Sequence, residues 1–265
     1  MINIAIEAAR KAGMFLKDNV GNIHTIERKG GQERNIVTEI DKRSEEIIIE
    51  TIKKHFPQHD ILGEESGSKH ATDSDYRWVI DPLDGTTNFT HGLPVFCVSI
   101  GVERNGQVII GVIYDPNLDE MFVAEKGKGA FLNGEKINVS AVNELIQSLL
   151  VTGFPYNIAE NPNLAIERFV SFLLHAQAVR RMGSAAIDLA YVAAGRYDGF
   201  WEVALNPWDV AAGSLILQEA GGLITDFSGS GFSIYSKEVL ASNGHVHREM
   251  ISLFAKVKEQ KIKFA

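Results

Sequence analysis

From Ile2 to Asn19 apolar and small residues recur at helical spacing, at Ile2, Ile6, Ala9, Gly13 and Leu16, and Gly21 supplies a stop signal. The spacing predicts an amphipathic helix there. A second helix is predicted from about Thr38 to Phe56, with Ile40, Ile47 and Ile48 on its buried face and Pro57 ending it. From Tyr76 to about Ile137 the pattern turns strand-rich. Residues 95–103 and 108–114 flank Asn105-Gly106, a strong two-residue hairpin signal, and residues 120–125 and 127–134 continue the meander. The second half alternates element types. It predicts strands near 148–153, 178–182, 198–203 and 239–242, and helices near 163–175 and from Ser184 through Ala194. A further helix begins at Pro207 and stops at Gly221-Gly222, and a terminal helix follows the last strand. These elements suggest stacked α and β layers with a mainly antiparallel first sheet. No internal repeat or long linker interrupts them. The chain therefore reads as one unit over 1–265, an α+β half to about 140 and an α/β half from about 141.

Composition narrows the function. A chain of 265 residues has ample core for one large domain or two closely joined halves, and a 45% hydrophobic share is that of a soluble globular protein. The formal charge of −8 argues against a nucleic-acid binder or an anionic-membrane binder, which need an excess of Lys and Arg. It leaves a small phosphorylated substrate open, because bound divalent cations can supply positive charge. The single cysteine, Cys97, excludes an intramolecular disulfide and sits in an apolar run that favours packing over catalysis. Charged residues from Glu7 to Asp18 break up the N-terminal apolar pattern, and no run is long enough to span a bilayer, so a cytoplasmic location is expected.

Chemistry concentrates in residues 78–88. An apolar strand-like segment stops at Asp81, a second carboxylate follows at Asp84, and Gly85 releases the backbone. Pro82 stiffens this turn, and the carbonyl of Leu83 can point the same way as the two carboxylates. Gly85 and Thr86 are placed to open a short helix whose free N–H groups would bind a phosphate. The bland alternative is an Asx-type turn ending a strand. Other acidic segments lie beside structural breaks: Asp41 at a helix start, Glu64 in Gly63-Glu-Glu-Ser66, and Asp209 after Pro207-Trp208. Singly, each has an ordinary explanation, a helix-dipole partner for Asp41 and Asp209 and a solvated charge pair for Glu64 and Glu65. Together they form an oxygen-rich set suited to Mg²⁺. His245 and His247 are the one close histidine pair with metal-like spacing; they are expected at the surface, which argues against a zinc site. The glycines of 127–134 do not fit a dinucleotide fingerprint, and there is no Walker-type loop or Gly-x-Ser-x-Gly elbow.

Taken together, these segments resemble the inositol monophosphatase family of Mg²⁺-dependent, lithium-sensitive phosphomonoesterases. Two signatures carry the resemblance, residues 78–89 and 208–222, with Gly63-Glu-Glu-Ser66 and Val37-Thr-Glu-Ile-Asp41 matching in the same order. The resemblance implies an αβαβα layered fold similar to the fructose-1,6-bisphosphatase superfamily, commonly as a homodimer. It also implies two to three Mg²⁺ per site and a small phosphorylated polyol as substrate. A first metal would be held by Glu64, Asp81 and the Leu83 carbonyl, a second by Asp81, Asp84 and Asp209, and a third, weaker one near Glu64. Thr86 and Asp41 would orient and deprotonate the attacking water, while amides of Gly85 and Thr86 hold the phosphate. On the substrate side the resemblance implicates Gly183, Ser184, Ala185 and Glu202, with Ser184 in place of a family threonine. A family lysine corresponds to Lys29, beside a Gly30–Arg34 stretch that departs from the family pattern; Gly30 and Gly31 would let that loop close over the substrate.

The leading expectation is hydrolysis of myo-inositol monophosphate to inositol and phosphate. Alternatives within the same chemistry are fructose 1,6-bisphosphate, histidinol phosphate, a nucleotide 3′-phosphate and NADP. Bisphosphate or nucleotide chemistry would call for extra basic or aromatic groups near the site, and the sequence suggests none beside Glu202. A different class of role, a regulatory protein partner of the transcription machinery, also remains.

Overall fold

The computed structural model describes residues 1–23, 25–28, 33–69 and 74–259. Lys29, Gly30 and Gly31, expected to form a closing loop, lie outside them. Helix α1 (Ile2–Asp18) leads through the short antiparallel strands β1 (Ile26–Arg28) and β2 (Ile36–Thr38) into helix α2 (Glu39–His55). Strands β3 (Asp60–Gly63), β4 (Gly67–Lys69), β5 (Tyr76–Asp84), β6 (Cys97–Arg104), β7 (Gln107–Asp115), β8 (Glu120–Glu125), β9 (Ala130–Leu132) and β10 (Glu135–Ile137) form an eight-stranded sheet. Its order is β10-β9-β8-β7-β6-β5-β3-β4, antiparallel except for the parallel pair β3–β5. The hairpin at Asn105-Gly106 joins β6 to β7 as expected.

The second half adds β11 (Leu149–Thr152), α4 (Ala165–His175), β12 (Ala178–Arg180), α5 (Ala185–Ala193), β13 (Gly199–Val203), α6 (Pro207–Glu219), β14 (Leu223–Thr225), β15 (Glu238–Ser242) and α7 (His247–Glu259). Its sheet has the order β12-β11-β13-β15-β14, with β11 parallel to both neighbours and the remaining pairs antiparallel.

The layers follow from which faces are apolar. Ala5, Ala9 and Leu16 of α1 and Ile48 and Ile52 of α2 pack with Trp78, Ile80, Val98 and Ile100 on one face of the large sheet. Val79, between Trp78 and Ile80, points the other way, into a core shared with α5, α6 and the second sheet. Because β5 is buried on both faces, it reads as an unbroken apolar run rather than an alternating one. Helix α6 is apolar nearly all round from Val210 to Leu217, as a helix sandwiched between two sheets must be. Phe172 of α4 and Phe254 of α7 cover the far face of the second sheet against Trp201. The result is the αβαβα order expected from the sequence.

Several local expectations need correction. Helix α4 begins at Ala165 rather than near 163, because Asn163 and Leu164 adopt positive φ (54° and 56°) that no α-helix accommodates. Strand β14 follows Gly221-Gly222, where none was expected; three residues are too few to show a period. His247 is buried, not on the surface. Its two ring nitrogens lie 2.9 Å from Thr225 Oγ1 and 2.8 Å from Ser242 Oγ, and burial lowers its pKa to about 4. Cys97 is buried as expected, and burial raises its thiol pKa well above the usual value. No helix among the described residues is long and apolar enough to cross a membrane.

Candidate active site

The end of β5 is where the large sheet stops being regular. Its pairing with β6 slips between Asp81 and Asp84, so Asp81 faces Ser99 and Asp84 faces Cys97 across a bulge formed by Pro82 and Leu83. A bulge re-aims side chains at a strand end. Here it follows a two-residue turn in which the Leu83 amide donates to Asp81 Oδ1 at 3.0 Å. The Asx-type contact of the bland reading is therefore present, made by one oxygen of Asp81. Gly85 then starts α3 (Thr86–Thr90), the short helix expected there.

Behind this strand end, the buried face of α2 carries Asp41, Ser44 and Glu45 beside Ile40 in its first two turns, and Ile48, Thr51 and Ile52 further on. Asp41 serves twice. One oxygen accepts from the Thr38 amide at 2.9 Å, closing the helix N-terminus as a capping box, while Oδ1 accepts from the Thr86 hydroxyl at 2.9 Å. Thr86 Oγ1 also lies 3.2 Å from the Leu83 carbonyl oxygen. Asp41 does not itself line the cavity; Thr86 does. The Ser44 hydroxyl donates to the Pro82 carbonyl at 2.8 Å, bracing the bulge.

Glu45 was not singled out in the sequence. Its carboxylate accepts the amides of Glu65 and Ser66, both at 2.9 Å, and so holds the turn that carries Glu64. The Glu64 amide in turn donates to the Ile80 carbonyl at 3.2 Å. Gly63 is required here, since a Cβ at that position would collide with the Glu45 carboxylate. The readable signal was position: Glu45 lies one turn beyond Asp41, on the face that continues as Ile48 and Ile52.

The second half closes the site. Asp84 Oδ2 accepts from the Ser184 hydroxyl and the Ala186 amide, each at 2.7 Å, at the N-terminus of α5. Ser184, expected on the substrate side, thus gives its hydroxyl hydrogen to a carboxylate of the first half, and its oxygen caps α5 by accepting from the Ile187 amide at 3.4 Å. Asn88 adds a second tie, donating to the carbonyls of Val95 and Met182 at 2.8 Å each. Asp209 accepts from the Asn206 amide at 2.6 Å at the start of α6, the structural role open to it in the sequence, and lines the same cavity. Glu202 of β13 packs over Gly153, whose missing Cβ leaves the space its carboxylate occupies.

Glu64, Asp81, Asp84, Thr86, Asn88, Ser184, Glu202 and Asp209 surround one cavity of about 340 Å³, together with Leu83, Gly85, Gly183 and Ala185, while Asp41, Ser44 and Glu45 stand outside its lining. Its wall also carries Asp188, Arg181, Phe154 and Tyr156. The last three correct the expectation that no basic or aromatic group stands near Glu202. Burial, reinforced by Glu64, Asp84 and Asp209, raises the Asp81 pKa well above the usual carboxylate range. Burial and Glu64 do the same for Asp209. Asp84 is pushed up to about 6 by burial, against the opposing hydrogen bonds from Ser184 and Ala186. Glu202 is pushed up to about 8 by burial and by Asp84, with Arg181 opposing. For Asp41 burial outweighs the hydrogen bonds from Thr38 and Thr86 and lifts the pKa.

Mutual repulsion of this kind marks a set of oxygen donors that a hard divalent cation would relieve. Glu64, Asp81, Asp84, Asp209 and the Leu83 carbonyl supply oxygen only, with no thiolate or imidazole, which fits Mg²⁺ rather than zinc. Among the described residues no three acidic, His or Cys side chains already form a closed ligand cluster. The carboxylates ring the cavity rather than meet at one point.

The model of the inositol monophosphatase family matches residues 1–261. The chain is 44% identical to the Nus factor SuhB of Escherichia coli K12 over 252 residues, covering 95% of this chain and 94% of that protein. It is 39% identical over 257 residues to the inositol-1-monophosphatase of Mesorhizobium japonicum, covering 97% and 96%. The solved inositol monophosphatase of Anabaena superposes with a TM-score of 0.87 at 45% identity, covering 96% of this chain and 95% of that one. Fold, motif order and the extent of these matches lead to one conclusion: the chain belongs to the inositol monophosphatase family.

Proposed function

We propose that this protein is a Mg²⁺-dependent phosphoric monoester hydrolase that releases phosphate from myo-inositol monophosphate. The observation that carries this reading is the ring of carboxylates around one cavity, joined to a Thr86 hydroxyl that donates to the buried Asp41. Glu64, Asp81, Asp84, Asp209 and the Leu83 carbonyl would hold Mg²⁺. Bound there, the ion would neutralise the phosphate dianion and lower the pKa of water.

The chain's own residues divide the remaining work. Amides of Gly85 and Thr86 would hold phosphate oxygens at the start of α3. Thr86 would orient the attacking water and pass its proton toward Asp41, whose pKa burial has already raised. The water oxygen bonds to phosphorus as the ester P–O bond breaks, and the leaving alkoxide takes a proton to become the alcohol. Glu202, in the wall beyond Asp84, would accept hydroxyl hydrogens of the polyol. The Mesorhizobium relative, named an inositol-1-monophosphatase, supports this substrate.

Phosphate release from inositol 1-phosphate, measured with Mg²⁺ and with lithium added, tests the reading. The expected result is activity that requires Mg²⁺, falls with lithium, and is largely lost in Asp84→Asn. A wild type inactive on every phosphomonoester in a panel would sink it. The Escherichia coli relative named a Nus factor supports a second reading, a role beside the transcription machinery. Under that reading Asp84→Asn would abolish phosphate release and leave association with transcription proteins intact.

A further inference from the structure

We propose that Asp188 is a second hydroxyl-reading carboxylate, gripping one hydroxyl of the leaving polyol while Glu202 grips another. The proposal rests on the phosphatase reading above and names a specificity residue for it. Asp188 lies in the first turn of α5, is 1% exposed, and lines the same cavity as Glu202. Its Oδ1 is buried and has no hydrogen-bond partner.

An acid in the first turn of a helix ordinarily needs no further explanation, because it answers the helix dipole and accepts free amides. The hydrogen-bonding half of that explanation fails at this helix. The Ala186 amide is taken by Asp84 and the Ile187 amide by Ser184, so the local donors are already committed to other oxygens. A buried acceptor without a donor is left with its desolvation cost uncompensated. Asp188 bears that cost beside two further acids, since Glu202 and Asp84 both act on it electrostatically. A ligand that brings hydroxyl donors into the cavity relieves it. Two carboxylates on one wall match a compound with more than one hydroxyl, and Arg181 in the same wall disfavours a cationic one. The leaving group of a polyol phosphate meets both conditions.

The test compares wild type, Asp188→Ala and Asp188→Asn on inositol 1-phosphate and on para-nitrophenyl phosphate, which has no hydroxyls to read. Asp188→Ala is expected to lose about tenfold or more in kcat/KM on inositol 1-phosphate, chiefly through KM, while keeping its rate on the aryl phosphate. Asp188→Asn, which retains an acceptor oxygen, falls between. Equal losses on both substrates would overturn the assignment, as would no loss on either. A wild type active on the aryl phosphate but not on inositol 1-phosphate would instead overturn the polyol reading and this inference with it. Wild-type turnover of inositol phosphates lacking one hydroxyl at a time guards against a variant that does not fold. Two hydroxyl positions should matter, and only one of them should lose its effect in Glu202→Gln. A single sensitive hydroxyl, insensitive in Glu202→Gln, would leave Asp188 nothing to read and sink the proposal.

Discussion

Two polar cavities lined by described residues balance their acids differently: one has an arginine built in, though Glu103 Oε1 stays without a hydrogen-bond partner, and in the other acids crowd together. One, of about 330 Å³, lies where the β6–β7 hairpin meets the loop before β15 and is lined by Asp60, Arg77, Glu103 and Tyr235. There a cation is built in. Arg77 sits 3.8 Å from Asp60 and donates at 3.3 Å to the Tyr235 hydroxyl, which donates at 2.8 Å to Glu103. The other, of about 340 Å³, gathers Glu64, Asp81, Asp84, Asp188, Glu202 and Asp209 with Arg181 as the one basic residue lining it among those described. An acid matched within the chain stabilises a loop. Acids crowded together in a buried cavity hold free energy that an external cation and a substrate can release.

Breaking the contrast at its strongest point gives the largest effect. Asp81→Asn keeps the oxygen that accepts from Leu83 and removes one negative charge from the group. Phosphate release should fall about a hundredfold or more. In chelator, however, the variant should melt above the wild type, because a buried repulsion has been removed. A lower melting temperature in chelator would contradict the view that these acids repel one another.

The second prediction uses pH. Asp84 has a folded-state pKa raised to about 6 from an ordinary 3.8, so its stabilising contribution is complete at low pH and is lost as pH rises through that window. Without metal this group costs on the order of 3 kcal/mol by pH 7. Mg²⁺ must displace the same protons, so the stabilisation it gives should grow from pH 5 to pH 8. His247 contributes the opposite slope, since its depressed pKa removes stability as pH falls from about 6.5 toward 4. Taking the difference between chelator and Mg²⁺ in denaturant titrations cancels it. A difference that stays flat with pH would count against metal binding at these carboxylates.

A smaller effect is expected at Glu45, which touches no cavity yet holds the Glu64 turn. Glu45→Gln should weaken Mg²⁺ binding about tenfold, read by calorimetry without substrate, with little change in melting temperature in chelator. Unaltered affinity would reduce Glu45 to a packing residue. The smallest effect belongs to the matched cavity: Arg77→Met should cost about 0.5–1 kcal/mol and leave phosphate release unchanged. An activity loss there would erase the distinction between the two cavities.

What could be read beforehand depended on whether a residue interrupts a pattern. Asp81, Asp84, Glu64 and Asp209 stand where an apolar run or a helix breaks, and such breaks are visible in one dimension. Glu45 and Asp188 sit inside helices, where an acid normally faces water; Glu45 betrays its burial only through its place on the face of Ile48 and Ile52, and Asp188 only through its three-dimensional neighbours. The long elements were legible for the same reason that β1, β2 and β14 were not: three residues cannot display a period. His247 shows a further limit. Its burial depends on hydroxyls of Thr225 and Ser242, brought to it by strands distant in sequence pattern from any histidine motif. The tie that Ser184 makes between the halves could not be read either, because the partner that takes its hydroxyl, Asp84, lies 100 positions away.

That last bond makes Asp84 a seam. The carboxylate belongs to the first half of the chain, and the groups that aim it belong to the second. A chain severed near residue 141 would give one piece holding Asp41, Glu64, Asp81 and Asp84 without the helix end that orients Asp84, and another holding Glu202 and Asp209 without their counterparts. Neither fragment would carry the whole set of proposed ligands. If these carboxylates bind Mg²⁺ as proposed, recovery of tight cation binding would report that the two fragments had re-docked in register, a gauge of the protein's own assembly.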